Sequence, residues 1–159
     1  MSRIEIAPVR LRELPALHRL FASAVVTNFA YFPDDILNRV LKDHSLFNLL
    51  RAKIDSRRVL LVARSGSKLI GYAIGAAPAT GPAQLFWLYV DPDFRGANTG
   101  LSLLSRMLRV LGDRGAKVVS IATHEYRSYY ERQGFKFIEK TIVNGVDMDI
   151  LTFKVGKRG

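Results

Sequence analysis

Val90-Asp91-Pro92-Asp93-Phe94-Arg95-Gly96-Ala97-Asn98-Thr99-Gly100-Leu101 stands between two segments of opposite periodicity. Before it, Leu85-Phe86-Trp87-Leu88-Tyr89-Val90 is an unbroken apolar and aromatic run, the pattern of a buried strand. After it, Leu101, Leu104, Met107, Leu108 and Leu111 recur at helical spacing between Thr99 and Arg114, and Gly115 ends the run. Gly96 and Gly100 permit close backbone approach, and Asn98 takes a left-handed conformation more readily than most side chains. A helix that starts after such a turn presents uncommitted N–H groups, a geometry able to wrap a phosphate or pyrophosphate. Arg95 adds a fork of donors. A tight strand-to-helix turn with no ligand would use the same glycines. The stretch is neither a P-loop, having no Gly-Lys-Ser/Thr, nor a Gly-x-Gly-x-x-Gly dinucleotide loop.

Outward from this point the elements follow from pattern. Arg3 to Arg10 reads as a first strand, and Glu13 to Val26 as a helix on Leu14, Leu17, Leu20, Phe21 and Val25. The aromatic segment 27–33 connects it to one or two further helices, with Asp34 as a cap and a break near Asp43-His44-Ser45. Val59–Ala63 and Leu69–Ala76 are strands around a turn at Ser65–Lys68. Beyond the long helix come a strand at Val118–Ala122, a short helix over Glu125–Gln133, and a hairpin. Asn144-Gly145 is the favoured two-residue turn between Phe135–Val143 and Val146–Phe153. Helices interrupt the strand series only in places. The expectation is therefore an α/β fold with a mixed central sheet covered by helices on both faces, not a doubly wound parallel sheet. The 159 residues predict one domain over 1–155 and a short flexible tail at 156–159.

Composition narrows the chemistry. Cysteine is absent, which excludes disulfides, zinc–thiolate and iron–sulfur sites and any cysteine nucleophile, and no metal site is expected. Neither a secretory leader nor an apolar run of membrane-spanning length is visible, so the expectation is a cytoplasmic protein without a membrane partner. The net charge of +10 is spread along the chain and predicts attraction to polyanions in general. No zinc-finger spacing, arginine-rich tail or RNA-binding aromatic strand accompanies it, so nucleic acid is not the expected partner.

Two motifs carry a resemblance. Val90-x-Pro92-x-x-Arg95-Gly96-x-Asn98-x-Gly100 is similar to the acyl-CoA-binding motif of the GCN5-related N-acetyltransferase (GNAT) superfamily, written Arg/Gln-x-x-Gly-x-Gly/Ala. Tyr129-Tyr130-Glu131-Arg132-Gln133-Gly134-Phe135 resembles its second signature, an aromatic-Tyr-Glu-Arg/Lys-x-Gly-Phe run. The two lie in the family's order with a helix and a strand between them, and the likeness spans nearly the whole chain. One position departs: Asn98 stands where the family most often has its first loop glycine.

The resemblance implies a splayed, acyl-CoA N-acyltransferase-like sheet that opens after Val90. It implies acetyl-CoA as cofactor, held by the backbone of Leu88, Tyr89 and Val90 along the pantetheine arm. The pyrophosphate would meet Arg95, Gly96, Ala97, Asn98, Thr99 and Gly100. Tyr130 matches the tyrosine that protonates the departing thiolate in many members, while Tyr129 is expected to fill the core. Many relatives carry a Glu on the strand that here reads Ala83–Leu88, and this strand has none. His124 is the candidate base or relay, with Asp91 behind it. Trp87 and Tyr89, with Phe29, Tyr31 and Phe32, are candidates for an acceptor pocket. The function implied is transfer of an acetyl group to a primary amine of a small molecule or peptide by direct attack. A non-catalytic acyl-CoA-binding or regulatory domain and an RNA- or ribosome-associated protein are the alternatives. By the same analogy the final hairpin could supply the edge of a homodimer.

Overall fold

The computed structural model describes residues 3–156. Seven strands form one sheet: β1 (Ile4–Pro8), β2 (Arg58–Ser65), β3 (Lys68–Ala76), β4 (Ala83–Val90), β5 (Val118–Thr123), β6 (Lys136–Val143) and β7 (Val146–Lys154). Their order across the sheet is β1-β2-β3-β4-β5-β7-β6. Every neighbouring pair is antiparallel except β4 and β5, which run parallel. The helices are α1 (Leu14–Asn28), α2 (Asp34–Asp43), α3 (Leu46–Ile54), α4 (Thr99–Asp113) and α5 (Arg127–Arg132). This is the expected mixed sheet with helices on both faces.

Strands β2 and β3 read as continuous apolar runs because both of their faces are covered. Val59, Leu61 and Ala63 point toward α4, where they meet Leu103, Leu104, Met107 and Leu111. The alternate residues Leu60 and Val62 pack with Leu17, Phe21, Val25 and Leu49 of α1 and α3. A third, smaller cluster of Phe32, Ile36, Val146 and Met148 ties α2 to the final hairpin. That hairpin turns at Asn144 and Gly145, both at positive φ as the sequence predicts. At the far side of the sheet Arg64, almost fully buried, is paired with Glu13. The guanidinium holds the Glu13 carboxyl below its usual range.

Several local expectations change. The N-cap of α2 is Pro33, and Asp34 is the first helical residue with no side-chain capping bond. Ser45 does cap α3, its hydroxyl accepting from the Asn48 N–H. On α4 the buried stripe contains Thr99 and Leu103, while Leu101 is exposed and Leu108 lies at the margin. At about 100° per residue, Leu101 falls beyond the arc shared by positions 99, 103, 104, 107 and 111. The expected tail begins at Gly156, and its remaining residues lie outside the described ones. Among the described residues no helix is long and apolar enough to cross a membrane.

The largest difference sits in β4. The sheet was expected to open after Val90, yet β4 pairs with β5 only at Ala83, Gln84 and Leu85. The cause is a bulge: opposite Ile74 and Gly75 of β3 stand Trp87 and Leu85, leaving Phe86 as an extra residue. Phe86 is exposed, and the alternation inverts across it. Ala83 and Leu85 face α4, and so do Leu88 and Val90, whereas Trp87 and Tyr89 face α1 and α3. Gly75 makes room for this, because a Cβ there would stand 2.8 Å from the Gln84 carbonyl and 3.1 Å from the Met107 sulfur.

Candidate active site

Beyond the point where β4 leaves β5, a cleft of about 400 Å³ is lined by the end of β4, the start of α4, the end of α1 with the connection after it, and α5 with the turn before it. One long wall is β4 itself. The Asp91 N–H donates to Ile70 of β3, so alternate backbone groups at Tyr89 also face β3, and those of Leu88 and Val90 face the opening. The Val90 carbonyl is met there by Nε of Arg95, at 3.0 Å. The Arg95 guanidinium lies 5.8 Å over the Tyr89 ring, and its terminal nitrogens meet no carboxylate among the described residues. Tyr89 therefore contributes its side chain to the cleft.

The turn that follows is built for an anion. Asp91 caps a short turn at Pro92–Phe94 by accepting from the Asp93 N–H, so this carboxylate is occupied in holding the loop. Gly96 has φ of 91° and Asn98 φ of 60°, so asparagine supplies the left-handed position that the family gives to glycine. From Gly96 to Leu101 no backbone N–H meets a protein acceptor among the described residues. Thr99 is buried and lines the cleft, and its hydroxyl also lacks a partner. A buried unpaired hydroxyl beside a row of open N–H groups fits a ligand rich in acceptor oxygens. A Cβ built on Gly100 would lie 3.7 Å from Val90 and 3.8 Å from the Tyr129 hydroxyl, so larger side chains fill the cradle. An acyl-CoA, with a pyrophosphate and an extended amide-bearing arm, matches the turn and the open strand edge together.

Helix α5 brings the second motif to the same cleft. Gly134, at φ 97°, ends it: the Gly134 N–H donates to Glu131 and the Phe135 N–H to Tyr130. This glycine-terminated turn folds the Phe135 ring beneath Tyr130, with centroids 5.4 Å apart. Tyr130 lines the cleft, and burial pushes its phenol well above the usual range, so it stays protonated at neutral pH. Tyr129 was expected to fill the core but lines the cleft as well, its hydroxyl near Gly100. Burial raises its phenol too, and raises Tyr31 to about 12 with help from the Glu125 carboxylate.

The other candidates are divided. Phe29 and Tyr31 line the cleft, whereas Phe32 is buried against the hairpin. Trp87 packs with Phe21, Phe29 and His44 and does not reach the cleft. His124 lines a separate depression; its Nδ1 lies 2.9 Å from the Asp147 carbonyl and its ring stacks on Tyr31 at 4.3 Å. A direct role as base in the cleft is not what this placement supports. Three lining residues were not foreseen: Asn28 at the end of α1, and Glu125 and Tyr126 in the turn between β5 and α5. Loop residues carry no periodic signal, but an acid and an aromatic a few positions before the Tyr129-Tyr130 motif were visible. No group of three or more His, Asp or Glu among the described residues is placed to hold a metal ion.

Known proteins share this architecture. An uncharacterized N-acetyltransferase of Mycobacterium tuberculosis is 26% identical over 131 residues, covering 80% of this chain and 78% of that relative. The crystal structure of the PaiA N-acetyltransferase from Thermoplasma acidophilum, in complex with coenzyme A, superposes with a TM-score of 0.78 at 22% identity. It covers 96% of this chain and 99% of its own. The putative acetyltransferase YncA from Salmonella typhimurium, with its cofactor acetyl-CoA, superposes at 0.70 and 18% identity, over 99% of this chain and 97% of its own. The family model of the acetyltransferase (GNAT) domain matches residues 56–137, from the turn before β2 through the parted strand and both motifs. That match covers just over half of the chain, and the protein belongs to the acetyltransferase (GNAT) domain family.

Proposed function

We propose that this protein is an acetyl-CoA-dependent N-acetyltransferase that acts on a primary amine by direct attack. The observation that carries the reading is the open edge of β4 ending at the α4 N-terminus, with the unpartnered Thr99 hydroxyl on one side and Tyr130 on the other. The N–H groups from Ala97 to Leu101 and the Thr99 hydroxyl hold the pyrophosphate, and Arg95 adds positive charge beside it. The Leu88 N–H and carbonyl and the Val90 N–H, which face the opening, hydrogen-bond the pantetheine arm, while the Val90 carbonyl holds Arg95. An N–H on this edge aimed at the acyl oxygen stabilises the charge that develops there. Bound acetyl-CoA supplies the activated acyl group as a thioester. Tyr130 lines the cleft with its phenol O–H protonated and donates that proton to the departing sulfur as the C–S bond breaks; the raised phenol works against this transfer and does not drive it. The chain has no cysteine, so no acyl-cysteine forms. In the proposed direct attack the neutral amine nitrogen bonds to the thioester carbon, the C–S bond breaks, and the proton lost by the nitrogen passes to water.

Release of free thiol from acetyl-CoA across a panel of primary amines, with intact-mass detection of acetylated product, tests this. Tyr130→Phe keeps the ring against Phe135 and removes one hydroxyl. Turnover falls by about ten- to a thousandfold, with CoA affinity and melting temperature little changed. Wild-type turnover in the folded variant removes Tyr130 from the mechanism. CoA binding without thiol release by any amine supports the passive binding domain instead.

A further inference from the structure

The cleft has a second end, away from the Arg95–Gly100 turn, and its composition is lopsided. It is walled by Phe29 and Tyr31 from the α1–α2 connection, by Tyr126 and Tyr130, and by a single carboxylate, Glu125. Phe29 and Tyr31 meet edge to face at 5.7 Å. Behind Tyr31 the His124 ring is stacked, held from the far side by the Asp147 carbonyl, with Nε2 3.7 Å from the Glu125 carboxylate. Glu125, itself mostly exposed, thus sits at the rim of a partly open aromatic wall, backed by an imidazole. Among the described residues no other acidic one lines the cleft.

We propose that this end of the cleft is an acceptor subsite for a monocationic amine carried on an apolar or aromatic body, with Glu125 as the residue that pairs with the ammonium. The proposal rests on the acyl-transfer reading of the cleft and deepens it. A cation near Phe29, Tyr31 and Tyr126 is attracted by the ring faces, and one carboxylate neutralises one ammonium. The body of such an amine fits between the rings, where its burial is favourable. Polycationic acceptors fit poorly. Each further ammonium needs a further anionic partner, and the cleft offers none besides Glu125 while its other charged lining residue is Arg95. The excess of 24 basic over 14 acidic residues in the chain adds repulsion at longer range.

Direct binding by calorimetry, with three probes on the protein alone and on the protein saturated with CoA, tests the proposal. The probes are phenethylamine, its neutral counterpart 2-phenylethanol, and spermidine. Phenethylamine binds about tenfold tighter than 2-phenylethanol, consistent with one partly exposed ion pair plus a cation–ring contact, and at least as tightly as spermidine. Glu125→Gln abolishes the preference for the amine over the alcohol, Glu125→Asp keeps part of it, and neither alters CoA affinity or the binding of 2-phenylethanol. Spermidine binding tenfold tighter than phenethylamine, an undiminished amine preference in Glu125→Gln, or no binding of any probe by a protein that binds CoA overturns the subsite. Failure to bind CoA overturns the acyl-transfer reading instead, and the probe preferences on the protein alone are still read.

Discussion

Ala83–Leu85 and Leu88–Val90 are two ends of one eight-residue strand, with the same neighbour β3 along one side. At the first end the other edge is zipped to β5; at the second no strand pairs with it, and only the Val90 carbonyl is met, by Nε of Arg95. Leaving a backbone group unpaired in the interior costs about 1–3 kcal/mol, so a bare edge persists only where water or a ligand can satisfy it. The zipped end is covered by Met107 and Leu111 and does structural work. The open end is lined by Tyr130, Thr99 and the glycine turn. A single extra residue, Phe86, separates the two, and the difference between stability and function along β4 comes down to that bulge.

Substitutions at the two ends should therefore fail in opposite ways. The largest effect is expected from Gly100→Val, whose methyl groups occupy the space between Val90 and the Tyr129 hydroxyl. CoA affinity drops on the order of a hundredfold, about 2.7 kcal/mol, with the melting temperature nearly unchanged. Calorimetry and a thermal melt separate the two; a folded variant with wild-type affinity breaks the distinction. Leu85→Ala, at the zipped end, loses about 2–4 kcal/mol of folding stability and leaves CoA affinity within threefold once folded. Denaturant unfolding followed by a CoA titration checks it, and a Leu85→Ala protein of full stability but poor affinity would reverse the assignment.

Smaller effects sharpen the comparison. Asn98→Gly keeps the left-handed turn, so CoA affinity shifts by about threefold or less and stability by under about 1 kcal/mol. A tenfold gain in affinity would mean that the asparagine side chain obstructs the pyrophosphate. The smallest effect concerns pH. Tyr31 is raised to about 12, so its phenol ionises in the unfolded chain before it does in the folded one. Its contribution is complete below pH 10 and is lost as pH rises from there to about 12. Tyr31→Phe should lose stability less steeply than wild type across that window in denaturant titrations; parallel curves would place the phenol in ordinary solvent.

Much of this was legible in the residues, for stated physical reasons. Long apolar runs marked β2, β3 and β4, helical spacing marked α4, and Asn144-Gly145 marked the hairpin, because each pattern mirrors which faces are buried. The two motifs placed Tyr130 and the Arg95–Gly100 turn on one cleft. The bulge was missed although Gly75 was its trace: a glycine inside a strand pattern often marks an irregular pairing. Leu101 misleads because six leucine and methionine positions crowd more than one face of α4. Glu125 and Tyr126 lie in a turn, where facing direction depends on tertiary context. Trp87 and His124 were drawn toward the cleft by their chemistry, but the inverted alternation and the stack on Tyr31 place them behind its walls.

Amide chemical-shift mapping during a CoA titration tests the central claim most directly, because it reads each end of β4 separately. The account predicts saturable shifts at the N–H groups of Leu88, Val90 and Ala97–Leu101, with Ala83–Leu85 and their β5 partners nearly still. Shifts confined to another surface, or none at millimolar CoA, would contradict it.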